Sequence, residues 1–485
     1  MHFQSYLTNR AEDKSYFIET HGCQMNVSDS EIVASVLENE GYRLAEKMED
    51  ADVFFVNTCA IREGAEQKIW NKLTSKYNAF KVQKPDMKIG VLGCMAERVK
   101  EKMLEHKVVD LVAGPDAYRD IPRLLNLIGN SEQQAMNVQL SLDETYADIA
   151  PVRKANDLHA WISIMRGCNN MCSFCIVPFV RGRERNRTAQ SIIDEVKTLR
   201  DQGVKEITLL GQNVNSYHDK TTESGLEHTN SEGFVEMYKA RSENGLRFAE
   251  LLDSVAEVAP EVRFRFTSPH PKDFPDPLLD VIADRANVCK QIHIPAQSGN
   301  TEMLFRMRRN HSRESYLSLI ERMREKIPGV ALSSDFICGF CQESDAEFED
   351  TVSLLNIVKY DLAFLFAYSM RERTHAHRRL VDDVPEDIKQ ARLVRMIDTF
   401  KRHQLEKQRE EVGRYHLVLV DGKGKKGEQQ LSGLTDTMKR AVFDSTEYQK
   451  GDFVLCRVTD YAQNTLFCEA QRRMGVQEFA TFIRQ

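Results

Sequence analysis

The stretch Met165-Arg166-Gly167-Cys168-Asn169-Asn170-Met171-Cys172-Ser173-Phe174-Cys175 places three thiols in a C-x3-C-x2-C spacing, directly after the apolar run Trp161 to Met165. Three thiolates on one short loop can hold three irons of a cubane cluster and leave the fourth iron without a protein ligand. Such an open iron can bind a substrate or cofactor, whereas a fully ligated cluster mainly carries electrons. A zinc site or a set of buried, inert thiols competes with this reading. Structural zinc takes four ligands, usually as two C-x2-C pairs or with a nearby histidine. No fourth Cys or His follows here at such spacing.

A second set of cysteines is dispersed. Tyr16-Phe17-Ile18 leads to Gly22-Cys23, Val53-Phe54-Phe55-Val56 to Cys59, and Ile89-Gly90-Val91-Leu92 to Gly93-Cys94. Each apolar run reads as a strand, and amphipathic stretches alternate with them, which implies a parallel α/β sheet. Ser28 with Glu31 makes a capping box for a helix through Leu37. In parallel sheets the loops at strand carboxyl ends gather along one edge. Cys23, Cys59 and Cys94 are therefore expected to meet in space. The alternative is three unrelated thiols, since free Cys is often buried.

The first three thiols must be held by the region that follows them. From Trp161 to about Tyr368 six runs read as strands: Trp161–Met165, Glu206–Leu210, Arg263–Thr267, Gln291–Pro295, Ala331–Ile337 and Leu362–Tyr368. Amphipathic helices fall between them, over Ser191–Asp201, Phe248–Val258, Pro277–Asp284, Arg313–Lys326 and Ala346–Lys359. Successive βα units suggest an open (β/α)6 barrel, with chemistry on the loops at strand carboxyl ends. Those loops carry Gly211-Gln212-Asn213, Ser268-Pro269-His270, Gln297-Ser298-Gly299 and Gly339. Asp219 to Asn244 is polar and aperiodic and reads as a mobile surface loop. Toward the C-terminus, a charged helical stretch precedes short β runs at His416–Val420, Gln430–Gly433, Arg440–Phe443, Phe453–Cys456 and Thr465–Cys468. These suggest a small OB-like barrel, a shape often used for nucleic acids.

At 485 residues the chain is expected to form about three domains. The reading gives an N-terminal α/β domain over 14–130, a polar linker over 131–158, the partial barrel over 159–380, a helical connector over 381–413 and the β-barrel over 414–475. A net charge of −7 argues against a protein that coats nucleic acid, so RNA contacts must come from local basic patches. Eleven cysteines, many beside glycines, indicate a metal protein of a reducing compartment rather than a disulfide scaffold. No apolar run approaches 18 residues, so no transmembrane helix is expected, and no membrane is expected among the partners. Met1 to Lys14 lacks an Arg-rich amphipathic stretch, and no targeting segment is visible.

The C-x3-C-x2-C loop after a first barrel strand resembles the radical S-adenosylmethionine (SAM) enzymes. That resemblance implies that Cys168, Cys172 and Cys175 are catalytic and hold a 4Fe–4S cluster whose open iron chelates SAM, with Phe174 near the adenine. It places Gly211, Gln212, Asn213, Gln297 and Gly339 around the cofactor. Gly22-Cys23-Gln24-Met25-Asn26, Asn57-Thr58-Cys59 and Leu92-Gly93-Cys94-Met95-Ala96, in this order, look like the N-terminal domain of the methylthiotransferases. There the three cysteines hold a second, auxiliary 4Fe–4S cluster. The C-terminal β region resembles a TRAM domain, that family's RNA-binding appendage. The wording Leu209-Leu210-Gly211-Gln212-Asn213-Val214-Asn215-Ser216 and Phe266-Thr267-Ser268-Pro269-His270-Pro271-Lys272-Asp273 is closest to the MiaB type. Within it, Ser333-Ser334-Asp335-Phe336-Ile337 resembles the eukaryotic mitochondrial branch named for a cyclin-dependent-kinase regulatory subunit.

The resemblance implies addition of a methylthio group to C2 of N6-isopentenyladenosine-37 in tRNA, with a prenylated tRNA and a ferredoxin- or flavodoxin-type electron donor as partners. A monomer is expected, in the mitochondrion or, since no transit segment is visible, the cytoplasm. Arg181, Arg183, Arg185 and Arg187 would receive RNA phosphates, or a SAM carboxylate, through charge-assisted bonds; a solvated loop neutralised by Glu184 is the alternative. Rival functions are a sibling enzyme acting on threonylcarbamoyladenosine tRNA or a ribosomal-protein aspartate, and a regulatory binding protein that keeps its clusters for sensing. Cys341-Gln342-Glu343-Ser344 stands where many members have Pro-Gly-Glu-Thr, and Thr188 replaces a common proline.

Overall fold

The computed structural model describes residues 14–60, 63–130, 133–144, 146–153, 157–224, 231–234, 244–425, 427 and 429–484. The chain divides into two compact units. One takes the chain up to Ala155 together with Arg166–Asn169 and Ile176–Arg185; the other takes Asn156–Met165, Asn170–Cys175 and Asn186 onward.

The first unit is built on a six-stranded parallel sheet. Its spatial order is Arg43–Leu44, Ser15–Thr20, Val53–Thr58, Lys88–Gly93, Leu111–Ala113 and Ala135–Asn137. The central strand Val53–Thr58 is buried throughout, as a strand covered on both faces must be. Its alternate side chains serve opposite layers. Val53 and Phe55 join Tyr16, Ile32 and Tyr118, while Phe54 and Val56 join Leu73, Tyr77 and Val91. The stretch read as a polar linker begins with the sixth strand. Within it Tyr146 is buried, stacks on Tyr118 at 5.6 Å and donates its hydroxyl to the Pro115 carbonyl. Thr145 and residues 154–156 of that stretch, like residues 1–13, lie outside the described residues.

One helix start differs from expectation. The first helix runs over Gln24–Asn39 with Cys23 as its N-cap, and Ser28 is buried inside it. Asn26 does what Glu31 was expected to do: its side chain accepts from the Cys23 backbone N–H at 3.3 Å. The turn that presents the thiol is therefore also the helix start.

In the second unit six parallel strands follow one another in sequence order: His159–Ser163, Glu206–Leu210, Arg263–Phe266, Gln291–His293, Ala331–Cys338 and Leu362–Ala367. The third and fourth join just ahead of the fourth, where Phe264 donates to the Asn287 carbonyl and Cys289 donates back to Phe264. Helices Ala189–Asp201, Phe248–Val258, Asp276–Asp284, Arg313–Lys326 and Asp345–Val358 cover the strands through one continuous core. Thr188 caps the first of these, its hydroxyl accepting from the Ser191 N–H. The architecture is the open (β/α)6 barrel that the strand count implied.

The insertion after the second strand is only partly described, and residues 225–230 and 235–243 of it lie outside the described residues. Its base, His218–Asp219, pairs antiparallel with Leu246–Arg247. Contrary to a purely surface loop, Ser231 and Phe234 are buried, and Phe234 stacks on His311 at 4.6 Å.

A helix over Glu386–Arg409 leads to five strands, Tyr415–Lys423, Gln430–Leu434, Arg440–Asp444, Phe453–Ala462 and Thr465–Arg473, which close into a barrel. A last helix, Val476–Ile483, turns Phe479 and Phe482 against Leu417, Leu455 and Met474. This small barrel sits under the amino-terminal ends of the large one. Arg263, at the start of its strand, donates to the Leu434 carbonyl at 3.0 Å and to that of Leu417. Arg265 donates to Thr435 and Asp436 carbonyls at 2.7 Å. Gln291, Ala331 and Leu362, the first residues of three further strands, line a shared cavity with Thr437, Lys439 and Arg440.

Candidate active site

In the first unit, Cys23, Cys59 and Cys94 follow three strands that are sheet neighbours, and the strand order reverses at the first of them. That reversal at the carboxyl edge is where open α/β sheets bind ligands. Each thiol is fixed by its surroundings. Gly22 and Gly93 adopt φ of +128° and +90°. A Cβ on Gly22 would lie 2.7 Å from the Cys59 Cβ, and one on Gly93 2.5 Å from the Thr58 carbonyl. Asn26 and Asn57 lock the three turns together: Asn26 Nδ2 donates to the Thr58 carbonyl at 3.1 Å, and Asn57 Nδ2 to the Asn26 carbonyl at 2.9 Å. Thr58 donates onward to the Leu92 carbonyl.

The thiol of Cys23 is pulled down to about 6, first by its hydrogen bond with Cys59 and then, against burial, by Arg181 and the N–H groups that open its helix. Burial pushes Cys94 up, and Arg181 opposes it. Among the described residues, no three His, Cys, Asp or Glu side chains close on a single metal ion. Three thiols at one sheet edge, with Cys23 hydrogen-bonded to Cys59, are the donor type an iron–sulfur cluster takes.

Sequence reasoning missed the residue behind these thiols. Asp29, wholly buried on the first helix, accepts from Arg166 Nη1 at 2.9 Å and from Arg181 Nη2 at 2.7 Å, both arginines being buried too. Tyr118 donates to it at 3.2 Å. Arg181 also donates Nε–H to Cys94 Sγ at 3.2 Å.

The cluster loop contributes to both units. In the first, Cys168 donates its N–H to the Gly182 carbonyl, and Gly167, at φ +77°, passes so close to Arg183 that a Cβ would meet its carbonyl at 2.0 Å. Ile176 and Val180 pack with Ala60, Cys94 and Phe179. In the second, Cys175 donates to the Cys172 carbonyl at 3.0 Å, closing a turn, and Ser173 donates to Met307. Buried Arg309 points Nη1 at Cys172 Sγ, 3.6 Å away, and Nη2 at the Pro295 carbonyl. Phe174 packs against Met303, Met307, Phe340 and Tyr368.

The other expected cofactor residues lie at carboxyl ends of the barrel strands. A Cβ on Gly211 would strike Met165 at 2.6 Å, and half-buried Gln212 follows it. Asn213 is buried, donates to Asp273 at 3.1 Å and leaves Oδ1 without a partner. Gln297 and Gly339 are left-handed at φ +72° and +71°. Gly339 N–H donates to Glu343, the acid retained in the altered Cys341–Ser344 stretch. Non-glycine residues in that region are strained and concentrate at functional sites.

The basic run behaves differently from a phosphate patch. Arg181 is spent on Asp29 and Cys94. Arg185 is buried against Asp116 at 2.8 and 3.1 Å, and Arg187 pairs with Glu195 at 2.7 Å. Burial takes Arg181 and Arg185 from the surface, Arg187 is half-buried against its acid, and Arg183 alone of the four is exposed.

Three family models match the chain: the Uncharacterized protein family UPF0004 over residues 15–114, the radical SAM superfamily over 162–355 and the TRAM domain over 409–470. The fold is shared with the radical S-adenosylmethionine methyltransferase TsrM of Kitasatospora setae, solved with cobalamin and a 4Fe–4S cluster, at a TM-score of 0.53 and 12% identity over 75% of this chain and 77% of that one. Domain order and barrel are those of a radical SAM enzyme with a TRAM domain. The mitochondrial tRNA methylthiotransferase CDK5RAP1 of Mus musculus is 50% identical over 93% of this chain and 80% of its own length. The tRNA-2-methylthio-N(6)-dimethylallyladenosine synthase of Chloroherpeton thalassium is 48% identical over 94% and 95%. The chain belongs to this MiaB-type tRNA methylthiotransferase family of radical SAM enzymes.

Proposed function

We propose that the chain is a tRNA-2-methylthio-N6-isopentenyladenosine-37 synthase, adding a methylthio group to C2 of the prenylated adenosine beside the anticodon. The observation that carries the reading is the double cysteine set: one triplet at the ends of three neighbouring strands, the other in C-x3-C-x2-C spacing. Cys168, Cys172 and Cys175 would hold one 4Fe–4S cluster, and Cys23, Cys59 and Cys94 a second. When bound, the first of these with SAM would supply radical chemistry, and the second would take up or donate the methylated sulfur, because no acid or base could activate the aromatic carbon.

The chain's own residues bind and orient. Arg309 donates to Cys172, Gln297 and Gly339 hold left-handed backbone at the strand ends where a cofactor would be held, and Asn213 Oδ1 offers a buried acceptor. Phe174 supplies an apolar wall that helps exclude water. Arg183, as the exposed member of its run, is the remaining phosphate contact from that stretch. The TRAM barrel adds tRNA affinity, an electron donor of ferredoxin or flavodoxin type reduces the chain, and it acts as a monomer in the mitochondrion. Subcellular fractionation of cells expressing the protein checks the last point.

Substrate choice follows from chemistry. Burying the five carbons of a prenyl tail is worth several kcal/mol, at about 0.8 per carbon group. A threonylcarbamoyl group instead brings a carboxylate that needs a paired cation. Reconstituted enzyme is offered tRNAs bearing plain, prenylated or threonylcarbamoylated adenosine. Methylthio product, followed by nucleoside mass spectrometry, is expected chiefly from the prenylated one; equal or better turnover of either other tRNA overturns the assignment.

A further inference from the structure

The guanidinium of Arg181 is the most committed charged group near the dispersed thiols. Its Nη2 donates to Asp29 at 2.7 Å and its Nε to Cys94 Sγ at 3.2 Å, while Nη1 is buried with no acceptor. Asp29 cannot neutralise it fully, because Arg166 Nη1 shares the same carboxylate at 2.9 Å. Arg166 has a second acid, Glu144, only at 3.9 Å. A buried cation with an incomplete set of acceptors is costly unless negative charge lies beside it. The group available to it on that side is the sulfur of Cys94, which its Nε–H already meets at 3.2 Å. Hydrogen bonds to cluster sulfurs and a fixed nearby charge set the reduction potential of an iron–sulfur centre.

We propose that Arg181 is a positioning residue for the Cys23, Cys59 and Cys94 site: held by Asp29, it donates Nε–H to Cys94 Sγ and so raises the reduction potential of the cluster there. Asp29 extends the effect, since it also holds Arg166, which lies two residues ahead of Cys168. Within the first unit, one carboxylate thus holds both Arg181 and the residue that leads into Cys168. The inference rests on the proposal that these three cysteines carry a cluster.

The test uses the full chain with Cys168, Cys172 and Cys175 all changed to Ala, so that iron bound after anaerobic reconstitution belongs to the dispersed site. Iron content is measured first, then the midpoint potential by redox titration with electron paramagnetic resonance. Arg181→Gln is expected to keep its iron and become at least tenfold harder to reduce, a negative shift of about 59 mV or more for one electron. Arg181→Lys, which keeps the charge but not the bridging geometry, is expected to shift in the same direction by less. An unshifted potential in Arg181→Gln overturns the inference. If that variant takes up no iron, Arg181→Lys decides, and a potential equal to that of its parent overturns it. A parent that binds no iron overturns the cluster assignment, and this inference with it.

Discussion

A thiol that closes a strand is only as well placed as the residues on either side of it. If the two cysteine sets hold separate clusters, about eight irons are expected per chain. Cys172→Ala should remove about half of them and abolish SAM cleavage. Cys59→Ala should remove a similar share and leave cleavage uncoupled from sulfur transfer. Loss of both clusters in either variant would count against independent sites. Gly93→Ala tests the support rather than the ligand. Its φ of +90° and the Thr58 carbonyl 2.5 Å from a Cβ make the change strained by about 1–3 kcal/mol. Denaturant titration should detect that loss, and iron should fall at the dispersed site alone.

At the scale of elements, the arginines that start the third barrel strand decide where the small barrel sits. Arg263 and Arg265 end on backbone carbonyls of the small barrel. Glu206 and Glu411 complete this junction. Burial alone would raise the Glu206 carboxyl, yet Arg265, His159 and Arg263 hold it down to about 2. Burial is likewise outweighed at Glu411 by His416 and Lys439, again to about 2. Both carboxyls titrate near 4.5 in the open chain. Their folded values are lower, so their contribution is complete above that pH and is lost as pH falls toward 2. Each is worth on the order of 3 kcal/mol. Thermal melts should therefore fall steeply below pH 4.5, and Glu411→Gln should flatten that slope while lowering stability at neutral pH.

What was legible in the sequence was periodic or local. Alternating apolar runs gave both sheets, and the cysteines could be assigned to strand ends because each directly follows such a run. The Asp29 clamp was not legible. Its two arginines lie 137 and 152 residues away, and a sequence displays charge without displaying burial. For the same reason Arg181 and Arg185 looked like phosphate ligands. The start of the first helix was misplaced because Ser28 and Glu31 copy a capping box, while Asn26 performs the task from inside a cysteine turn.

Across the whole molecule, the proposed division of labour makes the TRAM barrel a contributor of affinity rather than of chemistry. Truncation before Tyr415 should weaken tRNA binding and flatten its salt dependence, because fewer phosphate counterions are released. SAM cleavage without tRNA should persist. Unchanged affinity in a filter-binding assay would remove the barrel from RNA recognition.

The small barrel is seated at the floor of the large one, while Cys172, Cys175, Gln297 and Gly339 lie at its rim. Eight residues of Ala331–Cys338 at about 3.3 Å each separate the two ends by on the order of 25 Å. On the proposed division of labour, a nucleic acid gripped below and modified above would have to bridge that interval, and the enzyme would act as a ruler on its substrate. A short anticodon hairpin carrying the prenylated base should reach the rim but not the floor. Its turnover should be indifferent to loss of the small barrel, whereas intact tRNA should suffer, and a steady-state comparison of the two substrates on both forms of the enzyme measures the ruler directly.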